Sequence, residues 1–78
     1  MTQAEAVRHK IGIVEDDPPV LRFFSSVIAS CDDLEVAFAV ATLAEANEAV
    51  SRAMPDLCLV DLGLPDGDGV DFVRALKA

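Results

Sequence analysis

Three short apolar runs punctuate this chain, and two of them run straight into carboxylates. "KIGIV" (Lys10–Val14) leads into Glu15, Asp16 and Asp17, and "LCLV" (Leu57–Val60) leads into Asp61. Between them, "LEVAFAV" (Leu34–Val40) alternates Leu34, Val36, Phe38 and Val40 with Glu35, Ala37 and Ala39. Short runs rich in branched residues and bounded by turn formers read as strands.

The intervening segments repeat at helical spacing. Pro18 and Pro19 suit a first helical turn, where a missing N–H costs nothing, with Asp17 in the N-cap position. Val20, Leu21, Phe24, Val27 and Ile28 then form an apolar stripe from Pro19 to about Ser30. Thr42 and Glu45 make a capping-box pattern that opens a helix from Leu43 to about Met54, with Ala46, Ala49, Val50 and Ala53 inward. A third helix is expected over Val70–Lys77, with Phe72, Val73 and Leu76 on one side.

Strands alternating with helices imply parallel pairing and right-handed crossovers, an α/β doubly wound fold. "LCLV" is apolar on both faces, as a central strand is, whereas the alternation in "LEVAFAV" predicts an edge strand with one poorly covered face. The second strand then lies outside the first, and the third on its other side. This order, 2-1-3, begins a flavodoxin-like parallel sheet of which the first three β/α units are present. Its ligand crevice lies at the carboxyl ends of the first and third strands. Glu15, Asp16 and Asp61 are expected to meet there.

Like charges disfavour one another's ionised forms, so such a cluster should raise a pKa or recruit a cation. Mg²⁺ suits it, as a hard ion taking one or two carboxylates and keeping several waters. Asp16 and Asp61 are the expected direct ligands, with Glu15 direct or through water and the carbonyl near Gly63 completing the set.

Composition narrows the partners. Six basic against fourteen acidic residues give a formal charge of −8, which repels phosphate backbones and anionic lipid. Direct nucleic-acid or membrane binding by this segment is therefore not expected. Cys31 and Cys58 lack metal-ligand spacing and read as small buried hydrophobes in a reducing compartment. No apolar run reaches membrane-spanning length and no signal-peptide order is present, so a cytoplasmic location is expected. Residues 1–9 read as a loose leader, in which His9 has no assigned role.

The loop "LPDGDGV" admits two rival motifs. Asp66 to Val70 fits the DxDx[TV] signature of haloacid-dehalogenase-type phosphotransferases, but that signature needs a strand directly before its first Asp, and the strand ends at Asp61. A calcium loop starting at Asp66 would place Asp71 where Gly belongs and Lys77 where Glu belongs. Asp66, Asp68 and Asp71 read instead as loop solvation and helix N-terminal charges, with Asp68 a candidate cap. Gly67 and Gly69 are free to adopt positive φ.

"IVEDD" (Ile13–Asp17) and "LVDLGLPDGDG" (Leu59–Gly69), at this separation in this element order, resemble the N-terminal part of a response-regulator receiver domain of two-component signalling. The resemblance covers Lys10 to the end of the chain. It implies that Asp61 is the phospho-acceptor and that Glu15 and Asp16 are the acidic pair. Gly63 then supplies a backbone carbonyl to Mg²⁺, and Pro65 and Gly69 match the loop. The implied partner is a sensor histidine kinase or phosphotransfer protein, and a DNA-binding output domain of a transcriptional regulator is expected downstream. The domain would be no enzyme, though it assists its own phosphorylation. The family fold has five strands, so residues 10–78 are expected to be a truncated receiver. The Ser/Thr and Lys of the fourth and fifth strands are missing. The alternative is a receiver-like interaction module without phosphate signalling, assembling through the exposed edge of its third strand as a strand-mediated dimer.

Overall fold

Parallel pairing organises the molecule. The structure, a computed structural model, describes residues 8–61 and 63–77. Its elements run β1 (His9–Val14), α1 (Pro18–Ala29), β2 (Leu34–Val40), α2 (Leu43–Arg52), β3 (Leu57–Val60), β4 (Gly63–Leu64), β5 (Gly67–Asp68) and α3 (Gly69–Lys77). The main sheet has the order β2-β1-β3, parallel throughout. Of the expected leader, residues 1–7 lie outside the described residues. His9 belongs to β1 instead, its N–H donating to the Asp33 carbonyl at 2.9 Å.

Two apolar layers sandwich this sheet. On one face Ile11 and Ile13 of β1 pack with Ile28 and Leu21 of α1 and with Leu34 and Val36. On the other, Val14 packs with Ala46 of α2, Leu64 and Phe72, joined by Phe38, Val40, Cys58, Val60 and Leu76. Ile13 and Val14 are adjacent, point to opposite faces and are 1% and 0% exposed, so β1 is buried on both sides.

The alternation in β2 is not the single covered face that its pattern predicts. Between Ile11 and Gly12 the register slips: Ile11 pairs with Val36 but Gly12 pairs with Phe38, leaving Ala37 without a partner. A bulge of this kind reverses which face later side chains occupy. Leu34 and Val36 therefore serve the α1 layer while Phe38 and Val40 serve the α2 layer. Gly12 makes room for the switch. A Cβ there would lie 2.7 Å from Phe38 Cε2 and 2.8 Å from Cε1, inside the ring's own space.

Helix ends differ from expectation for identifiable reasons. Asp17 occupies the N-cap of α1, yet its side chain caps nothing. Pro18 and Pro19 remove the N–H groups of the first two helical residues, including one of the two that a cap carboxylate ordinarily accepts from. α2 stops at Arg52, and Ala53 is already extended (φ −157°, ψ 116°). Met54 precedes Pro55, a position that disfavours helical backbone. In α3, Phe72 is buried whereas Val73 is 37% exposed, so the inward stripe runs through Phe72 and Leu76 at i, i+4 spacing.

β3 lies at the side of the sheet that α1 does not reach. Leu57 and Leu59, in register with Ile11 and Ile13, share the α1 face but are 57% and 36% exposed. Phe24 and Val27 of α1 are likewise partly bare. The two cysteines are free, and Cys58 packs in the core, where burial pushes its thiol pKa up.

Gly12→Ala is expected to force Phe38 off β1 and to cost about 1–3 kcal/mol of unfolding free energy. Adding Phe38→Leu should recover part of that loss in a denaturant titration. A Gly12→Ala chain as stable as wild type would contradict the packing described.

Candidate functional site

The backbone ladder carries two strand tips to one place. Beyond the last residue of β1, the Glu15 N–H donates to the Val40 carbonyl at 3.0 Å. Beyond β3, the Asp61 N–H donates to the Val14 carbonyl at 2.9 Å. Both acidic residues are thus still held by the sheet as their side chains leave it. At the opposite end, Lys10 and Asp56 lock β1 to β3. The Lys10 N–H donates to Asp56 Oδ2, and the Asp56 N–H to the Lys10 carbonyl, each at 2.7 Å.

Glu15, Asp16 and Asp61 each offer a carboxylate oxygen to one cluster whose atoms all lie within 4.8 Å of one another. Glu15 and Asp61 are half-buried and Asp16 is exposed. The three residues expected from sequence to meet therefore do meet. Gly63 lies beside them: its N–H donates to Asp61 Oδ1 at 3.1 Å, fixing one oxygen of that carboxylate. A crevice of about 210 Å³ opens from Glu15 and Asp61 past Val60 and Leu59 to Phe24, so the acidic cluster sits at the mouth of an apolar cleft.

The charges strain one another. The Asp17 N–H, donating to Glu15 Oε2 at 3.1 Å, pulls the Glu15 carboxyl down. Partial burial together with the negative charges of Asp61 and Asp16 outweighs that bond and holds Glu15 above its ordinary value of 4.5. Three hard oxygen donors in mutual repulsion fit a small divalent cation. Mg²⁺ is such an ion, taking one or two carboxylates and keeping several waters.

The loop after β3 is more ordered than its composition predicts. Gly63 and Leu64 pair antiparallel with Asp68 and Gly67, a hairpin turned at Pro65 and Asp66. Gly67 adopts positive φ (157°), while Gly69 is instead the first residue of α3. Asp68 Oδ1 accepts from the Val70 N–H at 2.8 Å, so the expected cap of α3 is in place. Asp66 does what its position in the sequence does not suggest. Its two oxygens accept from the Leu43 and Ala44 N–H groups at 2.8 and 3.0 Å, and these bonds hold its pKa below the usual carboxylate range. With Thr42 Oγ1 accepting from the Glu45 N–H at 3.1 Å, the first three amides of α2 all have side-chain partners.

Glu15→Gln removes one of three like charges. Because the folded-state pKa of Glu15 is raised, ionising it costs the folded state stability as pH climbs from 4.5 through that raised value. Glu15→Gln should therefore gain stability over wild type above this window and match it below, in chelator-treated protein followed by urea unfolding. An unchanged difference across pH would show that the carboxylates do not repel as described.

Comparison with known proteins agrees with this arrangement. A family model described as the response regulator receiver domain matches residues 11–78. The KDP operon transcriptional regulatory protein KdpE of Escherichia coli is 40% identical over 65 residues, covering 83% of this chain and 28% of that protein. A protein-glutamate methylesterase/protein-glutamine glutaminase of Mesorhizobium japonicum is 35% identical over 69 residues, 88% of this chain and 20% of that protein. The DNA-binding transcriptional activator DevR/DosR of Mycobacterium tuberculosis is 33% identical over 67 residues, 86% of this chain and 31% of that protein. The chain thus spans less than a third of these relatives. With a three-stranded 2-1-3 parallel sheet and a matched model across nearly its whole length, the chain belongs to the response regulator receiver domain family.

Proposed function

We propose that the chain receives a phosphoryl group on Asp61 from a sensor histidine kinase or phosphotransfer protein, with Mg²⁺ held by Asp16, Asp61, Glu15 and the Gly63 carbonyl. The observation that carries this reading is the convergence of three carboxylates, from the tips of two adjacent parallel strands, within 4.8 Å. A carboxylate can accept a phosphoryl group covalently when it is ionised, exposed and rigidly placed. Asp61 stands at the mouth of the crevice and is held in place. Its N–H is anchored to Val14 and one oxygen is fixed by Gly63, which leaves the second oxygen to attack.

The transfer is a simple displacement. The free Asp61 oxygen forms a bond to phosphorus as the P–N bond to the donor histidine breaks. The electron pair leaves with the imidazole nitrogen, which takes up a proton. Mg²⁺, when bound, neutralises charge shared by the carboxylates and the phosphoryl oxygens, the term that dominates phosphoryl transfer. Positioning supplies the rest.

The relatives' names pair the shared stretch with both transcriptional control and a methylesterase, so the stretch itself is read as an input and not as an output. A transcriptional output beyond this segment and a cytoplasmic location complete the proposal. Residues 10–78 are read as the first three β/α units of the receiver. Among the described residues no helix is long and apolar enough to cross a membrane. The exposure of Leu57 and Leu59 favours a second reading, assembly through β3. Self-pairing about a two-fold axis runs the strands antiparallel, which would set Asp56 of one copy near Asp61 of the other in a chain of charge −8. That repulsion ranks it behind phosphoryl acceptance.

Intact mass after incubation with acetyl phosphate and Mg²⁺ tests the proposal. One added phosphoryl group is expected in wild type, lost in Asp61→Asn and lost on chelation of Mg²⁺. Phosphate that persists in Asp61→Asn would contradict it.

A further inference from the structure

Residues 63–70 are tied down at more points than a surface loop needs. At one end the Gly63 N–H holds Asp61 Oδ1. At the other, Asp68 caps α3. Between them the chain doubles back as the β4–β5 hairpin, whose turn residue Asp66 binds two amides at the start of α2. Gly67 adds a second, independent attachment: a Cβ there would lie 2.7 Å from Leu43 Cδ1, so the hairpin backbone rests against that side chain. Leu64, 7% exposed, plugs the hairpin into the core beside Phe72.

We propose that Asp66 is a positioning residue for the acidic site. Docked on the Leu43 and Ala44 amides, it holds the β4–β5 hairpin, and through it Gly63, where Gly63 orients the Asp61 carboxylate. This rests on the reading of Asp61 as a Mg²⁺-assisted phospho-acceptor.

Simple capping of α2 does not account for Asp66. Thr42 already caps the helix from within its own segment, and the Glu45 side chain turns back to the Ala41 N–H at 3.0 Å. A carboxylate brought from 23 residues away acts as a crosslink between two segments. The Asp66 carboxylate sees two N–H donors across that gap, and their pull also lowers its pKa, so it stays ionised and bonded at neutral pH. Without it, the hairpin keeps its two ladder pairs, the Gly67 contact, Leu64 in the core and the Asp68 cap, but its turn loses both hydrogen bonds to α2. Gly63 would then sample positions in which its N–H leaves Asp61 Oδ1.

The test compares four forms of the full chain. In Asp66→Ala, Mg²⁺ affinity measured with the metal alone should fall about 10-fold, the low end of what losing a group that supports a metal ligand costs. The Gly63 amide resonance should also shift and lose protection from hydrogen exchange in metal-free protein. Asp66→Asn, whose carbonyl oxygen can hold one amide, should fall in between. Thr42→Ala weakens the start of α2 while leaving the hairpin's own residues in place, and should leave both readouts as in wild type. Asp66→Asn decides the matter if Asp66→Ala does not fold.

Wild-type Mg²⁺ affinity and an unmoved Gly63 amide in Asp66→Ala, or in Asp66→Asn where that variant decides, would overturn the proposal. So would an equal loss in Thr42→Ala, which would reduce Asp66 to helix stabilisation. If wild type itself binds no Mg²⁺ and accepts no phosphate, the underlying reading of the site fails. The Gly63 amide still reports on the strap in that case, because it needs neither ligand.

Discussion

Repulsion among Glu15, Asp16 and Asp61 is the interaction around which this molecule is arranged, and the sheet is what enforces it. Left to themselves, three carboxylates would separate. They stay within 4.8 Å because β1 is paired on both sides and the ladder continues one residue past each strand, to Glu15 and to Asp61. The apolar residues behind them make the placement rigid. Ile13 and Val14 are essentially inaccessible, so β1 cannot shift without opening both layers of the core. Folding free energy is in this way converted into an electrostatic demand that a cation can satisfy.

The same logic explains why the chain beyond Asp61 is so closely fastened. A carboxylate that must attack phosphorus needs one oxygen restrained and one free. Gly63 restrains the first, and the hairpin that carries Gly63 is fastened in turn by Asp66 to α2, by Gly67 to Leu43 and by Asp68 to α3. In the proposed role, placement of the Asp61 carboxylate thus reaches back to the start of α2. The cleft beside the cluster, lined by Phe24, Leu59 and Val60, gives the site an apolar wall.

Much of this was legible in the residues. The bounds of β2 and β3, the 2-1-3 order and the meeting of the three carboxylates follow from periodicity, from the parallel crossover rule and from where the acids fall relative to each apolar run. Three features were not legible, each for a physical reason. The slip in β2 depends on Phe38 finding Gly12 across the strand, a fit invisible to the pattern of either strand alone. The β4–β5 hairpin has strands of two residues, too short to show any period. Asp66 meets its donors 23 residues away, so no local signature marks it. Asp17 taught the converse: the right residue in the N-cap position has little to cap when prolines have removed the first amides.

The central claim is that the three carboxylates form one site that recruits a divalent cation. A Mg²⁺ titration followed through backbone amide resonances tests it most directly. Saturable shifts confined to residues 14–17 and 61–64, abolished together in Asp16→Asn, are the predicted result. Shifts spread evenly over the acidic surface without saturation would contradict it, since they would show the cluster to be no more than part of a −8 chain.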